Sequence, residues 1–389
     1  MSSHLMGLAT ASAAPRGAVR RVLMTADAVG GVWTYALELA SALAARDVRT
    51  TIAVMGPAPS EAQRHDAMRI AELHEGAFAL EWASEPWDDV ARAGDWLLEL
   101  ERSVRPDVVH VNGFAHCALP WSAPTVMVAH SCVCSWWRAC RGERAPATWD
   151  RYREAVRAGI SGADAIVAPT NAMLGAFCDE HDPERAHAAR MRVIPNAADA
   201  SRFAPGPEKL PLVLAAGRLW DEAKNIAALD AIAGELSWPV AVAGSGSAPA
   251  DTDGERARFA RSIALGVLAP TDLGAWMQHA AIYALPARYE PFGLSALEAA
   301  LSGCALVLGD IPSLRELWDG AARFVDPRDP AALRGAIQLL IDDADARRAL
   351  ADRALQRARG LADLDRFATS YLDLYRALGA ARARNTACA

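Results

Sequence analysis

Long apolar runs are absent from this 389-residue sequence, and no segment approaches the roughly 18 apolar residues that a membrane-spanning helix needs. The seven cysteines are odd in number and irregular in spacing, so they predict no disulfide framework and favour a reducing compartment. Strong positive charge is also lacking, because the formal net charge is −7, which argues against a nucleic acid as partner. We therefore expect a cytoplasmic protein whose contact with a membrane is peripheral at most.

Metal-binding patterns are weak in this sequence. Cysteines and histidines from one region form a set of potential zinc ligands: His116, His130, Cys132, Cys134 and Cys140. No pair in this set has the two-residue spacer typical of structural zinc sites, and buried free cysteines are common, so we predict no zinc. Asp251 and Asp253 form an Asp-x-Asp pattern, but no strand precedes it and the pattern recurs by chance at residues 363–365, so we predict no catalytic metal.

The length and the alternation of strand and helix patterns indicate two α/β domains. A chain of 389 residues exceeds one ordinary core, and a hydrophobic content of 52% suits buried parallel strands. Predicted strands cover residues 20–25, 50–54, 78–82, 107–111, 125–129, 165–168, 192–194, 212–216, 239–243, 283–287 and 305–308. Helical patterns lie between most of them, which predicts doubly wound parallel sheets with ligands beyond the carboxyl ends of the strands.

Composition suggests the domain boundaries. Residues 1–18 are rich in small residues, and their basic residues follow the apolar part rather than precede it, which predicts a disordered tail and no signal peptide. Residues 195–211 contain repeated prolines and few apolar residues, which is typical of an interdomain linker. We place the first domain at residues 19–200 and the second at residues 201–363.

The segment at residues 283–310 is the centre of the predicted site. An apolar strand is followed by a loop that contains Gly293 and by a short helix predicted at residues 295–302. The N–H groups at such a helix start, together with the helix dipole, favour a diphosphate. Glu290 and Glu298 flank this anion site and can bind hydroxyl groups of a sugar and of a ribose. A solvated pair of glutamates beside an ordinary turn is the alternative.

The two glutamates form a recognisable motif. Glu290 and Glu298 enclose Pro291, Phe292 and Gly293, and this pattern resembles the signature of the retaining, nucleotide-sugar-dependent glycosyltransferases of family 4. It is also similar to the pattern of glycogen and starch synthases. The resemblance implies the GT-B fold, in which two Rossmann-like domains with doubly wound parallel sheets face each other across a cleft. It also implies that the last helix, at about residues 364–380, packs back on the first domain.

The same resemblance implies roles on the donor side. The segment that contains Arg218 and Lys224 resembles the diphosphate-binding motif of the family, whereas two basic loop residues would otherwise be ordinary surface. Glu290 would hold the transferred sugar and Glu298 the ribose. Glycine loops and the helix start would approach the nucleotide through Gly30, Gly31, Gly244, Gly246, Phe292, Gly293, Leu294 and Ser295. For the first glycine pair, a tight turn without a ligand is the alternative.

Acceptor-side residues are predicted at the strand ends of the first domain. His130 directly follows a strand and resembles a family segment whose histidine lies near the transferred sugar. Asn112 stands where the family often has histidine, and Asn171 follows another strand. Trp136 and Trp137 fall in a predicted polar loop, where they either stack on an acceptor or pack locally.

These patterns predict a retaining hexosyltransferase. We expect it to move a sugar from a UDP-linked or GDP-linked donor to an unidentified hydroxyl acceptor, a glycan or a small molecule, without a metal or another cofactor. A sugar-nucleotide 2-epimerase-like enzyme and a non-catalytic sugar-nucleotide-binding protein are the alternatives. The combination of Glu290, Glu298, Arg218 and Lys224 favours catalysis over binding alone.

Overall fold

The structure is a computed structural model that describes residues 18–247 and 259–387. Apart from residue 18, the tail predicted at residues 1–18 lies outside the described residues. The Asp-x-Asp pattern at residues 251–253 lies outside them as well. Within the described ranges, no helix has the length and apolar character needed to cross a membrane.

The first domain is built on a parallel sheet. Its strands are β1 (Arg21–Asp27), β2 (Arg49–Met55), β3 (Glu72–Glu75), β4 (Val108–Val111), β5 (Thr125–Val128), β6 (Ala165–Ala168) and β7 (Met191–Val193). Its helices are α1 (Gly31–Ala44), α2 (Glu61–Met68), α3 (Trp87–Val104), α4 (Val133–Arg141), α5 (Asp150–Gly162) and α6 (Asn171–His181). The strand order is β3-β2-β1-β4-β5-β6-β7, so the chain reverses direction across the sheet between β1 and β4. Ligands of such sheets bind beyond the strand ends at this reversal.

The second domain repeats this architecture. Its strands are β8 (Leu210–Ala216), β9 (Val240–Ala243), β10 (Ile263–Gly266), β11 (Ala280–Leu285), β12 (Ala305–Gly309) and β13 (Arg323–Val325). Its helices are α7 (Ile226–Ala233), α8 (Pro270–His279), α9 (Leu294–Leu301), α10 (Pro312–Trp318), α11 (Pro330–Asp342) and α12 (Ala344–Leu361), followed by α13 (Leu364–Ala387). The parallel strands are ordered β10-β9-β8-β11-β12-β13, with the reversal between β8 and β11. The predicted doubly wound α/β class with two sheets is confirmed.

Both faces of each sheet are covered by apolar side chains. In β1, Leu23 belongs to one core, whereas Val22 and Met24 belong to the core on the opposite face. In β8, Leu214 and Val213 are divided between two cores in the same way. Successive side chains of a strand point to opposite faces, so a strand buried on both sides must be apolar throughout. This explains why these strands could be predicted as continuous apolar runs.

The strand predicted at residues 78–82 is wrong. The edge strand is Glu72–Glu75, which pairs with β2. Phe78 and Leu80 instead pack on the core of the first domain, while the Glu81 carboxylate accepts hydrogen bonds from the backbone of a neighbouring loop. The alternating apolar pattern of this segment therefore reflects packing onto the core and not strand pairing.

Helical structure is more extensive than predicted in two places. Trp136 and Trp137 lie on α4 and not in a loop, and the helix ends at Gly142 in a left-handed conformation with φ of 74°. Cys, Ser and Trp have middling helix propensities, so packing against the rest of the domain decides the structure of this segment. At the other end of the chain, α13 continues to Ala387, beyond the predicted end at about residue 380.

Helix α13 returns to the first domain. Phe367, Tyr371, Leu372 and Tyr375 lie in the same core as α1. The hydroxyl group of Tyr35 on α1 donates a hydrogen bond to the Tyr371 hydroxyl at 2.6 Å. The last helix of the chain therefore stabilises the domain in which the chain began.

We expect Tyr375→Phe to lower the free energy of unfolding by about 1–3 kcal/mol, because the buried Nδ1 of His110 would lose its phenolic partner at 2.6 Å. Thermal and urea unfolding of the full chain measure the effect. The matched control is Ser370→Ala, which removes a solvent-facing hydroxyl of α13 and should change stability by less than about 0.5 kcal/mol. Equal effects of the two substitutions would contradict a buried hydrogen bond between α13 and β4.

Candidate active site

The loop after β11 leads into an uncapped helix start. Gly293, directly before α9, has φ of 88°, and a Cβ there would lie 3.3 Å from Leu314 Cδ2. Glycine is the residue that adopts this backbone conformation without strain. No side chain among the described residues caps α9, and its first turn contains no acidic residue. The N–H groups of Leu294 and Ser295 are therefore suited to binding an anion.

Glu290 is held between a cation and a backbone N–H group. One carboxylate oxygen forms an ion pair with Lys224 Nζ, and the other accepts a hydrogen bond from the Gly293 N–H at 3.0 Å. The hydroxyl of Ser313 donates to the Glu290 carbonyl oxygen, and Phe292 is buried in the core of the second domain. Glu290 itself is 8% exposed. The structure thus brings two predicted catalytic residues together and fixes the carboxylate.

Arg218 follows β8 and is oriented by Asp221. Its Nη2 and Nε atoms donate to Asp221 Oδ2 at 2.6 and 3.2 Å. The Arg218 side chain is 41% exposed, whereas that of Asp221 is 5% exposed. A partly exposed guanidinium group that is fixed by a buried carboxylate can bind a phosphate with little loss of side-chain freedom.

The glycine loop after β1 faces the second domain. A Cβ on Gly30 would lie 3.8 Å from Arg218 Nη1, and one on Gly31 would lie 3.7 Å from Leu294 Cδ1. Burial raises the pKa of Asp27 at the end of β1, and the positive charge of Arg218 partly offsets that increase. The loop of the first domain, the guanidinium group and the start of α9 therefore line one cleft.

A close backbone approach requires Gly244. Its φ is 142°, and a Cβ there would lie 1.8 Å from the carbonyl oxygen of Gly217. The Leu219 N–H donates to the Ser245 carbonyl at 2.9 Å, which joins the loops after β8 and β9. Gly246 follows in the second of these loops and is half-buried. The contact of these glycines with a nucleotide stays a prediction.

Glu298 lies on α9 beside charged residues of the first domain. Glu38 on α1 and Arg202 form an ion pair at 3.1 Å. Burial raises the pKa of Glu298 from 4.5 to about 7, while Arg202 lowers it and Glu38 raises it. Burial also raises the pKa of Glu38. The Glu298 carboxyl group therefore titrates near neutral pH, whereas an ordinary glutamate has a pKa of 4.5.

His130 is fixed by a hydrogen-bond network at the end of β5. Its Nε2 atom lies 2.8 Å from Asn112 Oδ1. The Asn112 amide group donates to the Thr25 carbonyl at 2.7 Å, which orients the amide oxygen towards His130 and assigns the proton to Nε2 of the imidazole. Burial lowers the pKa values of His130 and His110 to about 3. His130 is therefore neutral near physiological pH and acts as a hydrogen-bonding group.

Two residues predicted for the acceptor side contact the second domain. The indole N–H of Trp136 donates to Asp221 at 3.1 Å, and the side-chain amide of Asn171 donates to Glu316 at 2.9 Å. Trp137 is partly buried against the core of the first domain. These contacts connect the domains along one side of the cleft, and the acceptor roles stay predictions.

Three residues of the cleft were not predicted as site residues: Asp221, Tyr289 and Thr170. The Tyr289 hydroxyl accepts the Cys132 N–H at 3.0 Å, and the Thr170 hydroxyl donates to the Pro291 carbonyl at 3.0 Å. Tyr289 directly precedes Glu290, so its position next to the glutamate motif is the sequence signal that could have identified it as a cleft residue. Asp221 lies three residues after Arg218 in the predicted motif, so that spacing was its signal, whereas Thr170 is recognisable only from its contact with Pro291.

We compare the free energy of unfolding of the parent protein with that of Glu298→Gln. We expect the parent's value, relative to that of the variant, to decrease as the pH rises from 4.5 to 7. A carboxyl group with a raised pKa holds its proton more tightly in the folded state, so its contribution is complete below pH 4.5 and is lost as the pH rises through about 7. Thermal midpoints of both proteins across this range give the difference. Glu99→Gln, at an exposed position of α3, should follow the parent at every pH. A constant difference between the parent and Glu298→Gln would contradict the raised pKa.

Two family models match consecutive parts of the chain. Residues 29–202 match Glycosyltransferase Family 4, and residues 210–343 match Glycosyl transferases group 1. The first match contains the glycine loop after β1 and His130, and the second contains Arg218, Lys224 and both glutamates of the motif. Together the two matches span most of the chain.

Named relatives align along nearly the whole chain. Glycogen synthase from Mycobacterium tuberculosis is 28% identical across an alignment of 392 residues, which covers 89% of this chain and 91% of that protein. A D-inositol 3-phosphate glycosyltransferase from Xylanimonas cellulosilytica is 27% identical, with 90% of this chain and 92% of that protein covered.

Solved structures share the fold. Sucrose-phosphate synthase from Thermosynechococcus elongatus superposes with a TM-score of 0.77 at 19% identity, covering 93% of this chain and all of that chain (100%). Anabaena HepE, solved in complex with UDP and glucose, gives a TM-score of 0.71 at 15% identity and covers 91% of this chain and 99% of that chain. With both halves matched by glycosyltransferase models, the chain belongs to the glycosyltransferases and has the GT-B fold.

Proposed function

We propose that the protein transfers a hexosyl group from a nucleoside diphosphate sugar to a hydroxyl acceptor, with retention of anomeric configuration and without a catalytic metal. The observation that carries this proposal is the convergence of Arg218, Lys224 and the uncapped start of α9 on one cleft. Two cations and a set of backbone N–H groups match the charge and the oxygen atoms of a diphosphate. A UDP-linked or GDP-linked sugar is therefore the proposed donor.

The proposed chemistry is a displacement at the anomeric carbon. The acceptor oxygen bonds to this carbon while the bond to the diphosphate oxygen breaks, and the electron pair leaves with the diphosphate. Arg218, Lys224 and the N–H groups of α9 stabilise the charge that develops there, and closure of the two domains around the donor would limit its hydrolysis by water. The acceptor proton passes to the departing diphosphate on the same face of the sugar. This route gives retention and requires no carboxylate nucleophile.

The two glutamates bind different parts of the donor in this proposal. Glu290 accepts hydrogen bonds from hydroxyl groups of the transferred sugar, because Lys224 and Gly293 hold its carboxylate in place. Glu298 accepts hydrogen bonds from the ribose at the other end of the diphosphate. Lys224 orients Glu290 and also contacts the diphosphate, so it links sugar binding to departure of the leaving group.

The acceptor binds on the first-domain side of the cleft, beside His130. Because Nε2 of His130 donates to Asn112, the Nδ1 atom is the one left to accept a hydrogen bond from an acceptor hydroxyl. The relatives carry the names glycogen synthase and D-inositol 3-phosphate glycosyltransferase. A glucan chain and a phosphorylated polyol are therefore the acceptor classes to test first.

The donor class is tested with the purified full chain, UDP-glucose, UDP-N-acetylglucosamine and GDP-mannose in the presence of a chelator. We expect one donor to raise the thermal midpoint and to release its nucleoside diphosphate slowly by hydrolysis. Later addition of excess Mg²⁺ or Mn²⁺ should leave the rate unchanged, because protein cations carry the charge. A rate that depends on either ion would contradict catalysis without a metal. Neither stabilisation nor release with any donor would contradict the donor class.

We expect Arg218→Ala to reduce kcat for diphosphate release by about 10²–10³-fold, the range for loss of one preorganised donor to a developing negative charge. The steady-state rate with the donor identified above measures this. Arg323→Ala, which removes an exposed arginine from β13 of the same domain, is the matched control and should retain the parent rate. An Arg218→Ala protein as active as this control would remove the guanidinium group from the mechanism.

A further inference from the structure

Cys132, Cys134 and His181 place three potential metal ligands in one buried cluster. Their ligand atoms all lie within 4.8 Å of one another, and Cys132 Sγ lies 3.0 Å from His181 Nε2. The three residues are 1%, 0% and 5% exposed. The cluster joins the start of α4 to the last residue of α6, so two helices supply the ligands.

This cluster differs from the zinc ligands considered in the sequence. Cys132 and Cys134 belong to both sets, but His116 and His130 have other hydrogen-bond partners. The third ligand is instead His181, which lies 49 residues from Cys132 along the chain. Spacing within the cysteine-rich segment therefore could not have revealed it.

The cluster is chemically unsatisfied as a group of protein side chains. The Nδ1 atom of His181 is buried and makes no hydrogen bond to any residue that the structure describes. A buried polar atom without a partner costs about 1–3 kcal/mol. Among the described residues, the His181 ring therefore has one polar contact, between Nε2 and Cys132 Sγ, and this atom faces the centre of the cluster.

We propose that Cys132, Cys134 and His181 bind a thiophilic divalent cation, with Zn²⁺ as the favoured ion. Two thiolates and one imidazole are ligands that Zn²⁺ prefers, and their combined charge balances that of the ion. No fourth His, Cys, Asp or Glu within the described ranges joins the cluster, so these three side chains are the proposed protein ligands. Sulfur ligands disfavour hard cations such as Mg²⁺.

The site supports the helix that connects the two domains. The Cys132 N–H donates to Tyr289 at 3.0 Å, and Trp136, one turn further along α4, donates to Asp221 at 3.1 Å. A cation that joins the start of α4 to α6 would fix both contacts to the second domain. The role is structural and does not depend on the transfer chemistry proposed above.

The test uses the full chain, stripped of metal under reducing conditions and titrated with Co²⁺ as a spectroscopic probe. We expect thiolate-to-cobalt absorption that saturates at a single equivalent and is displaced by Zn²⁺. Cys134→Ser and His181→Gln should weaken Co²⁺ binding by at least about tenfold, the lower limit even for changes around a metal ligand. Cys140→Ser, which alters a buried cysteine of α4 outside the cluster, should bind Co²⁺ like the parent.

Absence of the absorption in the parent, or equal binding by the parent and both ligand variants, would overturn the proposal. If the variants do not fold, alkylation of the parent mapped by mass spectrometry replaces them. Zn²⁺ should then slow alkylation of Cys132 and Cys134 and leave that of Cys140 and Cys178 unchanged. Equal effects of Zn²⁺ at all four cysteines, or no effect at any, would show that the cluster does not hold the ion.

Discussion

The ion pair between Lys224 and Glu290 is the contact on which the cleft depends. It ties the loop after β8 to the loop after β11, and the Gly293 N–H at 3.0 Å binds the remaining carboxylate oxygen. Removing one partner of such a buried pair costs about 3–5 kcal/mol, because the other charge stays desolvated. The pair therefore positions the start of α9, and with it the N–H groups that suit a diphosphate, at the reversal point of the second sheet.

Contacts between the domains keep this arrangement facing the glycine loop after β1. Trp136 and Thr170 each form a hydrogen bond across the cleft, and Tyr289 accepts one from the Cys132 N–H and donates one to Met173 Sδ. A single hydrogen bond of this kind contributes about 1 kcal/mol. The domains are thus held together by several weak hydrogen bonds. Binding of a donor or an acceptor can therefore either strengthen or loosen the association of the two domains. Helix α4 carries two of these contacts, so its anchoring matters for the whole cleft.

The parts of the fold and site that depend on local sequence could be predicted, and those that depend on tertiary contacts could not. Apolar strands buried on both faces have a continuous pattern, whereas residues 78–82 imitate a strand because they pack on the core. The motif around Glu290 is contiguous, so the turn and helix start follow from it. The contacts of Asp221 with Trp136 and of His181 with Cys132 form only through folding, and no spacing rule identifies them.

The central claim is that the start of α9 and its two neighbouring cations bind the diphosphate of the donor. The most direct measurement is a crystal structure of the chain with a bound nucleoside diphosphate, grown with a chelator. We expect phosphate oxygens within hydrogen-bond distance of the Leu294 or Ser295 N–H, Arg218 and Lys224. A diphosphate bound elsewhere, or bound at this helix only through a metal ion, would contradict it.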